Sequence, residues 1–400
     1  MITKNIIRGN SKVVRNINRS MILNLIRVKQ PVSRATIARV TNLNKSTVSS
    51  IVTDLLEEDL IFEQKTSNPS VGRNPLNLSL KLGKHFIGAI SIDASLTRFA
   101  VTDIDGSVLG TSSIKSQLQN PKEFLGICSK ELDSLTQKLN INSLEGIGIT
   151  IAGIVDSKNL NVIFAPNLGW ENFHIGNVLK NLYPQTNILA VGNDAKCSAL
   201  AELWFGDHKL DLSNFVFLQV GPGIGSGIVV ENKLLDGEFH ASGEVGHTIV
   251  YEDGELCSCG NRGCWEMYAS DSATIKRFIN QKGKTLNQTN NISMDYIIEV
   301  ANNGDNIAQK VLKDTGYYLG LGIVKILKII DPQVIIVGGS IIRAWNFVYP
   351  EIDHIIKIRA FYGKKRTISI LPTKFKIRPR LLGAATIAIK EIFDDYKITN

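Results

Sequence analysis

The hydrophobic pattern of the first sixty residues predicts three helices. Apolar residues recur at helical spacing over residues 18–28, 33–40 and 45–58. Pro31 ends the first of these segments, and Ser33 is suited to cap the second. A short polar turn separates the second segment from the third. Together they have the pattern of a helix-turn-helix, whose last helix presents its N-terminal residues to the major groove of DNA.

Two short strand patterns follow, at residues 60–63 and 76–80. The segment between them, residues 67–75, contains glycine and proline and is predicted to be a wing, so that residues 1–84 form a winged helix-turn-helix. We expect DNA contacts from one arginine of the second helix, from the first turns of the third helix, and from a wing arginine suited to a minor groove. These residues are Arg34, Lys45, Ser46, Thr47, Ser49, Ser50 and Arg73.

From residue 85 onward, short apolar strands alternate with helices. This alternation predicts an α/β fold for residues 85–400. The predicted strands are 87–92, 97–103, 107–112, 146–153, 187–192, 214–220, 225–230 and 333–340. The predicted helices include 121–140 and a final packing helix, 381–393, to which the pattern gives no chemical role.

Charge divides the chain at the same place. The net charge of the 400 residues is +8, but residues 1–84 contain 14 Lys and Arg against 5 Asp and Glu, whereas residues 85–400 contain 31 against 32. The first acidic residue is Asp54. A basic module on a nearly neutral body is typical of nucleic-acid binding, although a helical interaction module with a solvated basic face would have the same composition.

Hydropathy gives no sign of a membrane protein. The chain is 44% hydrophobic and 20% charged. No apolar run approaches the roughly 18–20 residues that cross a bilayer, and the N-terminal segment lacks a cleavage site for secretion. We therefore expect a cytoplasmic protein without a membrane partner.

Three of the five cysteines lie within eight residues, at Cys257, Cys259 and Cys264, and His247 precedes the first of them by ten residues. One histidine and three cysteines are a closed ligand set for tetrahedral zinc, so we expect a structural zinc ion rather than a catalytic one. The alternative is a loop of free thiols, which would be costly in a reducing cell.

Two glutamates, Glu244 and Glu266, bracket this cysteine-rich loop. A zinc ion would fix the imidazole of His247 and leave its second ring nitrogen free for another partner. Two carboxylates and an oriented imidazole suit a ligand rich in hydroxyl groups, such as a sugar.

The runs G-E-V-G-H (243–247) and C-S-C-G-N-R-G-C-W-E (257–266) resemble the signature of the ROK family of repressors and sugar kinases. The resemblance implies zinc ligation by the histidine and the three cysteines, and sugar contacts from Glu244, His247 and Glu266. It also implies a two-lobed, actin- and hexokinase-like (ribonuclease H-like) fold. One predicted lobe is residues 85–195 plus a C-terminal helix, 381–396; the other lobe is residues 196–380, including the zinc loop.

The same resemblance implies further sugar contacts from Asn167, Asn193 and Asp194. In the kinases of the family, the aspartate at the position of Asp194 deprotonates the accepting hydroxyl. A carboxylate there can also simply accept a hydrogen bond from that hydroxyl. Asn193 and Asp194 could instead cap a helix, and Asn167 could be a turn residue.

The predicted nucleotide loops depart from the family pattern. Aligned on the later Asp-x-Asp-Gly turn, Ser91 stands at the position of the metal- and phosphate-coordinating aspartate. Asp93 and Ala94 would then place a charge and a methyl group against the phosphate oxygens. Pro222 removes a backbone donor from the glycine-rich segment 221–227. We therefore expect no tight ATP binding and no kinase activity.

The runs 44–49 and 263–270 resemble most the ROK repressors that respond to xylose. We expect a sugar-responsive repressor that binds operator DNA as a homodimer or higher oligomer. D-xylose is the favoured effector, and glucose or an amino sugar are the alternatives. Two other hypotheses stay open: an ATP-dependent sugar kinase with an appended DNA-binding module, and a repressor controlled by a protein partner.

Overall fold

The N-terminal module of the computed structural model has the elements of a winged helix-turn-helix. The structure describes residues 11–65, 76–206, 212–283, 292–361, 365 and 368–394. The module consists of α1 (Ser11–Lys29), β1 (Val32–Ser33), α2 (Arg34–Thr41), α3 (Lys45–Glu57), β2 (Ile61–Lys65) and β3 (Leu76–Leu80). The three strands form an antiparallel sheet in the order β1-β3-β2. The whole of the predicted wing, residues 67–75 with Arg73, lies outside the described residues.

The first helix is longer than the hydrophobic pattern predicts. It begins at Ser11 rather than at residue 18. Val14 and Ile17 in its first turns are exposed, so this part of the helix has no buried apolar face from which periodicity could identify it. Ser33 caps α2 as predicted, because its hydroxyl accepts a hydrogen bond from the backbone N–H of Thr36 at 3.1 Å.

The first lobe is built on a five-stranded mixed sheet. Its strands are β4 (Ile87–Ile92), β5 (Leu96–Thr102), β6 (Val108–Lys115), β7 (Gly146–Ile151) and β11 (Ile188–Asn193). Their order in the sheet is β11-β7-β4-β5-β6. Two helices and a small second sheet flank it: α4 (Pro121–Lys138), α5 (Ile175–Leu182), β8 (Ile154–Asp156), β9 (Asn161–Ala165) and β10 (Trp170–Phe173).

The second lobe repeats this plan with another five-stranded sheet. Its strands are β12 (Phe215–Val220), β13 (Ile224–Val230), β14 (Lys233–Leu234), β15 (Val334–Gly339) and β16 (Ser369–Pro372), in the order β14-β13-β12-β15-β16. Its helices are α7 (Glu266–Ala269), α8 (Asp271–Gln281), α9 (Met294–Asn302), α10 (Asn306–Ile329) and α11 (Trp345–Arg359). The predicted two-lobed α/β fold is therefore confirmed, and the predicted strands agree with the observed ones to within a few residues.

Two helices lie between the lobes: α6 (Asp194–Phe205) and α12 (Pro379–Phe393). We call them the hinge helices. α6 packs against β12 and β13 of the second lobe, whereas α12 packs against β4, β7 and β11 of the first. The two helices also pack against each other, where Gly383 meets the backbone of Cys197.

Glycines let each hinge helix approach one sheet closely. A Cβ atom on Gly148 of β7 would stand 1.7 Å from the carbonyl oxygen of Ala384 in α12. One on Gly227 of β13 would stand 2.4 Å from the Cβ of Ala199 in α6. Contacts this close leave no room for sliding, so α12 is fixed to the first lobe and α6 to the second.

The last helix begins two residues before its predicted start and ends where the predicted packing helix 381–393 ends. It starts at Pro379 rather than at residue 381, because proline is suited to the first helical position. It ends at Phe393, and residues 395 and 396 of the predicted helix lie outside the described part of the chain. Within that described part, no helix combines the length and the apolar character that a membrane crossing requires.

Gly148→Ala tests the contact between α12 and the first sheet. The added methyl group would overlap the carbonyl of Ala384, so we expect a loss of about 1–3 kcal/mol or more in the free energy of unfolding. The matched control is Gly126→Ala in α4, where a Cβ atom meets nothing within 4 Å. The control should gain roughly 0.5–1 kcal/mol. Denaturant unfolding measures both, and equal stability of the two variants would contradict the close packing.

Candidate functional site

A cavity of about 610 Å³ lies between the two lobes. All six residues predicted to contact a sugar line it: Asn167, Asn193, Asp194, Glu244, His247 and Glu266. The first two come from the first lobe, Asp194 begins a hinge helix, and the last three flank the cysteine-rich loop of the second lobe. Polar residues that are far apart in the sequence therefore line one cavity, as the sequence analysis predicts.

Asn193 and Asp194 stand where β11 meets α6. The Oδ1 atom of Asn193 accepts a hydrogen bond from the backbone N–H of Lys196 at 2.9 Å, and its amide donates to the carbonyl of Gly153 at 2.9 Å. Asn193 therefore caps α6 while it also lines the cavity, so the two alternatives for this residue coexist. Asn167 is exposed in the short 3₁₀ turn between β9 and β10.

Arg380 joins two carboxylates at one end of the cavity, and the sequence interpretation missed it. Its Nη2 atom lies 3.0 Å from Oδ2 of Asp93, and its Nη1 atom lies 3.4 Å from Oδ2 of Asp194. Arg380 and Asp194 are buried, with 8% and 9% exposure. Burial raises the pKa of Asp194, and the neighbouring guanidinium of Arg380 acts against this rise. One buried carboxylate, Asp194, and one partly buried carboxylate, Asp93, therefore depend on one cation.

The position of Arg380 carries a sequence signal. It lies in the first turn of α12, directly after Pro379. A cation at a helix N-terminus opposes the helix dipole, and this is unfavourable unless carboxylates face it. Because Pro379 marks the start of the helix in the sequence, an arginine directly after it is an unusual residue for that position. The identity of its partners follows only from the fold, since Asp93 and Asp194 are distant in the chain.

The structure places the residues of the predicted first phosphate loop differently with respect to the cavity. Ser91 is buried within β4 and is absent from the cavity wall, whereas Asp93 follows β4 and lines the cavity. The loss of the phosphate-coordinating aspartate at position 91 stays a prediction, and the carboxylate at this end of the cavity is that of Asp93. The charge of Asp93 is also matched by Arg380 instead of facing a ligand alone. Ala94 and Pro222 do line the cavity.

The imidazole and the three thiols of the cysteine-rich loop converge on one point. Ligand atoms of His247, Cys257, Cys259 and Cys264 all lie within 4.8 Å of one another. The Sγ atom of Cys257 is 3.6 Å from Nδ1 of His247, and the Sγ atoms of Cys259 and Cys264 are 3.6 Å apart. Tetrahedral zinc with Zn–S bonds of about 2.3 Å would place two sulfurs roughly 3.8 Å apart. The cluster could therefore hold a four-coordinate metal ion.

The cysteine-rich loop is also held by contacts that need no metal. The backbone N–H of Cys257 donates to the carbonyl of Asn261 at 2.8 Å. Trp265 is 1% exposed, and its indole N–H donates to the carbonyl of Tyr318 at 2.7 Å. The chain after the last cysteine is thereby anchored in the core of the second lobe, and this fixes the position of Glu266.

Both glutamates that bracket the loop face the same imidazole. The Oε1 atom of Glu266 lies 3.5 Å from Nδ1 of His247, and the Oε2 atom of Glu244 lies 3.9 Å from Nε2. Because Nδ1 is the nitrogen beside the thiols, Nε2 is the one left towards Glu244. Burial raises the pKa of Glu244. This wall therefore presents carboxylate acceptors, which complement hydroxyl donors.

The structure describes six of the seven predicted DNA-binding residues, all except Arg73. Thr47 is partly buried, and the exposed members in α3 are Lys45, Ser46, Ser49 and Ser50. Arg34 is engaged within the module, because its Nη2 atom lies 2.8 Å from Oε1 of Glu63 in β2. That pair would have to open, or the arginine would have to use its remaining donors, for Arg34 to contact DNA.

Comparison with known proteins assigns the family. The model of the ROK family matches residues 87–391. This range covers both lobes, the cavity and the cysteine-rich loop. The chain belongs to the ROK family.

The relatives include proteins of similar length. The chain is 30% identical to the xylose repressor of Bacillus spizizenii over 388 residues, which cover 96% of this chain and 98% of that protein. It is 27% identical to the Escherichia coli DNA-binding transcriptional dual regulator NagC over 396 residues, covering 95% and 94% of the two chains.

The chain resembles one solved structure over almost its whole length and another over about three quarters of it. A ROK family transcriptional regulator, described as a homologue of the E. coli MLC protein, superimposes with a TM-score of 0.82 at 25% identity, covering 96% of this chain and 97% of that one. A ROK family glucokinase from Streptomyces griseus, in complex with glucose and AMPPNP, has a TM-score of 0.69 at 26% identity and covers 76% of this chain and 99% of its own.

Arg380→Met is expected to destabilise the protein most at high pH. The variant leaves the buried Asp194 and the partly buried Asp93 without their cation, and breaking a buried pair costs about 3–5 kcal/mol. Without the arginine, the pKa of Asp194 rises further. An acid whose pKa is higher in the folded state loses stability as the pH rises through that range, so the deficit should be larger near pH 8 than near pH 5.

The control for this prediction is Arg343→Met. Arg343 pairs with Asp295 at the surface, where both side chains are more than half exposed. Its loss should change the free energy of unfolding little and equally at the two pH values. A deficit in Arg380→Met that does not grow with pH would contradict the proposed role of the arginine as the partner of the two carboxylates.

Proposed function

We propose that the protein is a transcriptional repressor whose affinity for operator DNA is controlled by a small sugar bound between its lobes. The observation that carries the proposal is the convergence of the six predicted polar residues on one interlobe cavity, in a chain whose other end is a basic winged helix-turn-helix. Full-length likeness to proteins named as repressors supports it. The sugar kinases among the matching structures cover only about three quarters of the chain.

D-xylose is the proposed effector. Four of the relatives are named as xylose repressors or putative xylose repressors, at 27–30% identity over at least 95% of this chain. Glucose or an amino sugar are the alternatives, since relatives at 27% identity are named as N-acetylglucosamine repressors. The acidic wall formed by Glu244, Glu266 and Asp194 supports a neutral sugar as the ligand.

The control of DNA binding requires two states with different affinities for the sugar. In the proposed mechanism, the sugar bridges the first-lobe residues Asn167 and Asn193 and the second-lobe residues Glu244 and Glu266, and so favours a closed arrangement of the lobes. Tight binding alone would shift nothing, because a ligand moves an equilibrium only by its differential affinity. Operator sites with two half-sites would be bound by a homodimer of the chain.

The proposed metal ion at His247, Cys257, Cys259 and Cys264 is zinc. The donor set and its spacing support this identity, since three thiolates and one imidazole suit zinc and leave no coordination position for water. When bound, the ion would supply order and not catalysis. This chain's own residues would orient the sugar, with the Nε2 atom of His247 held towards Glu244.

A second candidate function is an ATP-dependent sugar kinase with a DNA-binding module. The likeness to the glucokinase and the presence of Asp93 and Asp194 in the cavity favour it. A kinase needs Asp194 as a base that takes a proton from the sugar hydroxyl. Here Oδ2 of Asp194 pairs with Arg380, and Oδ1 accepts a hydrogen bond from the backbone N–H of Ala195 at 2.9 Å, so both carboxylate oxygens are already engaged. The repressor function is therefore the stronger proposal.

Titration with sugars tests the proposal. We expect D-xylose to quench or shift the tryptophan fluorescence of the protein and to release it from DNA duplexes selected from a random library. Glu244→Gln should weaken sugar binding about tenfold or more, because it removes a charge-assisted hydrogen bond. Glu252→Gln is the matched control, since Glu252 is exposed and lies outside the cavity wall.

Three outcomes would redirect the assignment. Sugar-dependent ATP turnover that Asp194→Asn abolishes would establish the kinase. Binding of glucose or N-acetylglucosamine, but not of xylose, would correct the effector. Failure of every sugar to bind the metal-loaded protein would favour control by a protein partner and would refute the sugar sensor.

Removal of the metal should weaken sugar binding without removing a sugar contact. We expect the purified protein to contain stoichiometric zinc and Cys259→Ser to lose most of it. The affinity for the sugar should then fall about tenfold or more, because His247 and Glu266 lose their fixed orientation. Cys128→Ala is the control, since Cys128 is buried in the first lobe. Metal analysis together with the fluorescence titration checks both, and full sugar affinity without metal would refute the ordering role.

A further inference from the structure

The first helix of the DNA-binding module rests on the C-terminal ends of both hinge helices. Ile22, Leu23 and Ile26 of α1 are fully buried and belong to one continuous core cluster with Trp204 of α6 and Phe393 of α12. The module is therefore not joined to the body through the chain between β3 and β4 alone. We call this contact surface the α1 seat.

Arg27 is the polar centre of the α1 seat. Its guanidinium carbon lies 4.1 Å from the centroid of the Trp204 ring and 6.0 Å from that of Phe393, and its Nη1 atom donates to the carbonyl of Trp204 at 2.8 Å. The two rings meet edge to face, with centroids 5.4 Å apart. Burial lowers the pKa of Arg27 to about 10, against the attraction of Asp394. The buried charge of Arg27 is therefore stabilised only while Trp204, Phe393 and the carbonyl of Trp204 keep these positions.

Arg19 makes the equivalent contact with the other hinge helix. It lies on the same face of α1, because eight residues separate it from Arg27 and helical neighbours recur at that spacing. Its Nη1 atom donates to the carbonyl of Ile392 in α12 at 3.4 Å, and its Nη2 atom pairs with Glu58, which follows α3. Both arginines thus bind last-turn carbonyls of hinge helices, where the helix dipole favours cations.

The two hinge helices begin at the sugar cavity and end at the α1 seat. Asp194 opens α6 and Arg380 stands in the first turn of α12, and the two side chains pair within the cavity wall. Trp204 and Phe393 lie in the last turns of the same helices. Since α6 is packed on the second lobe and α12 on the first, a change in the angle between the lobes displaces the two helix ends relative to each other.

We propose that the α1 seat transmits the state of the sugar cavity to the DNA-binding module, with Arg27 as the positioning residue that couples them. Arg27 touches the ends of both hinge helices, so it keeps all its contacts in only one relative position of the lobes. A change in that position breaks the stack or the hydrogen bond and reorients α1, and with it α3 through Arg19 and Glu58. The proposal rests on the proposed sugar-controlled repressor and names its coupling element.

Arg27→Met tests this coupling in the full-length protein. Methionine keeps most of the apolar volume in the seat and removes the charge and the hydrogen bond. Operator affinity is measured with and without a saturating sugar from D-xylose, glucose and N-acetylglucosamine, on the selected DNA duplex. In the wild type the sugar should change operator affinity by about tenfold or more. In Arg27→Met the ratio should fall to within about twofold of one, while sugar binding followed by fluorescence persists.

Two further variants separate coupling from a general loss of stability. Lys282→Met is the matched control, because Lys282 also lies over a ring, that of Phe278 at 5.5 Å, but in the second lobe away from the seat. It should keep the wild-type ratio. Trp204→Phe replaces the aromatic ring that binds a cation best, so it should also reduce the ratio of operator affinities without and with sugar. The double variant with Arg27→Met should show little further reduction, as expected for two residues of one contact.

The outcomes are distinguishable. A wild type that binds sugar but shows no sugar-dependent change in operator affinity would refute the proposed repressor control, and with it the coupling. A wild type that responds while Arg27→Met responds equally would refute the α1 seat alone. If Arg27→Met fails to fold and no longer binds sugar, Trp204→Phe decides. A folded Trp204→Phe variant that keeps the full sugar response would refute the positioning role of the α1 seat.

Discussion

The structure depends on the packing of two helices against each other and against different sheets. The backbone of α12 lies on β7 at Gly148, and α6 lies on β13 at Gly227, at distances that admit no side chain on either glycine. α12 makes its closest sheet contact with the first lobe and α6 with the second, so a change in the angle between the lobes would alter the crossing of the pair. The cavity, the buried Arg380 and the seat of the DNA-binding module all lie at the ends of these two helices.

Much of the architecture could be predicted from the sequence because its signals are local. The apolar spacing of α2 and α3, the capping serine Ser33 and the short apolar strands each specify an element without help from distant residues. The four metal-ligand candidates could also be predicted, because three of them fall within one turn-rich loop. The first part of α1 is missing from the prediction; its apolar residues Val14 and Ile17 stay exposed and add nothing to the buried face over residues 18–28 from which the helix is predicted.

The parts that sequence could not supply are those that join distant residues. Arg380 lies just outside the predicted packing helix and received no role, and its partners Asp93 and Asp194 come from two distant segments of the chain. Ser91 and Asp93 lie two residues apart, and the sequence alone does not show that Asp93 follows the strand and lines the cavity whereas Ser91 is buried within it. In the sequence, Arg27 is an ordinary basic residue of a helix and Trp204 an ordinary apolar one. Only the fold shows that their side chains are in contact.

The size of the cavity has a consequence for how the ligand is selected. At about 610 Å³ it falls in the range of sites that hold drug-sized molecules, and a pentose leaves part of it to water. Selection between sugars must therefore come from the few placed acceptors and from the waters they order, and not from steric exclusion. A scaffold of this kind can change its ligand by exchanging one or two wall residues or one ordered water. The hinge helices, the cysteine-rich loop and the N-terminal module would not have to change.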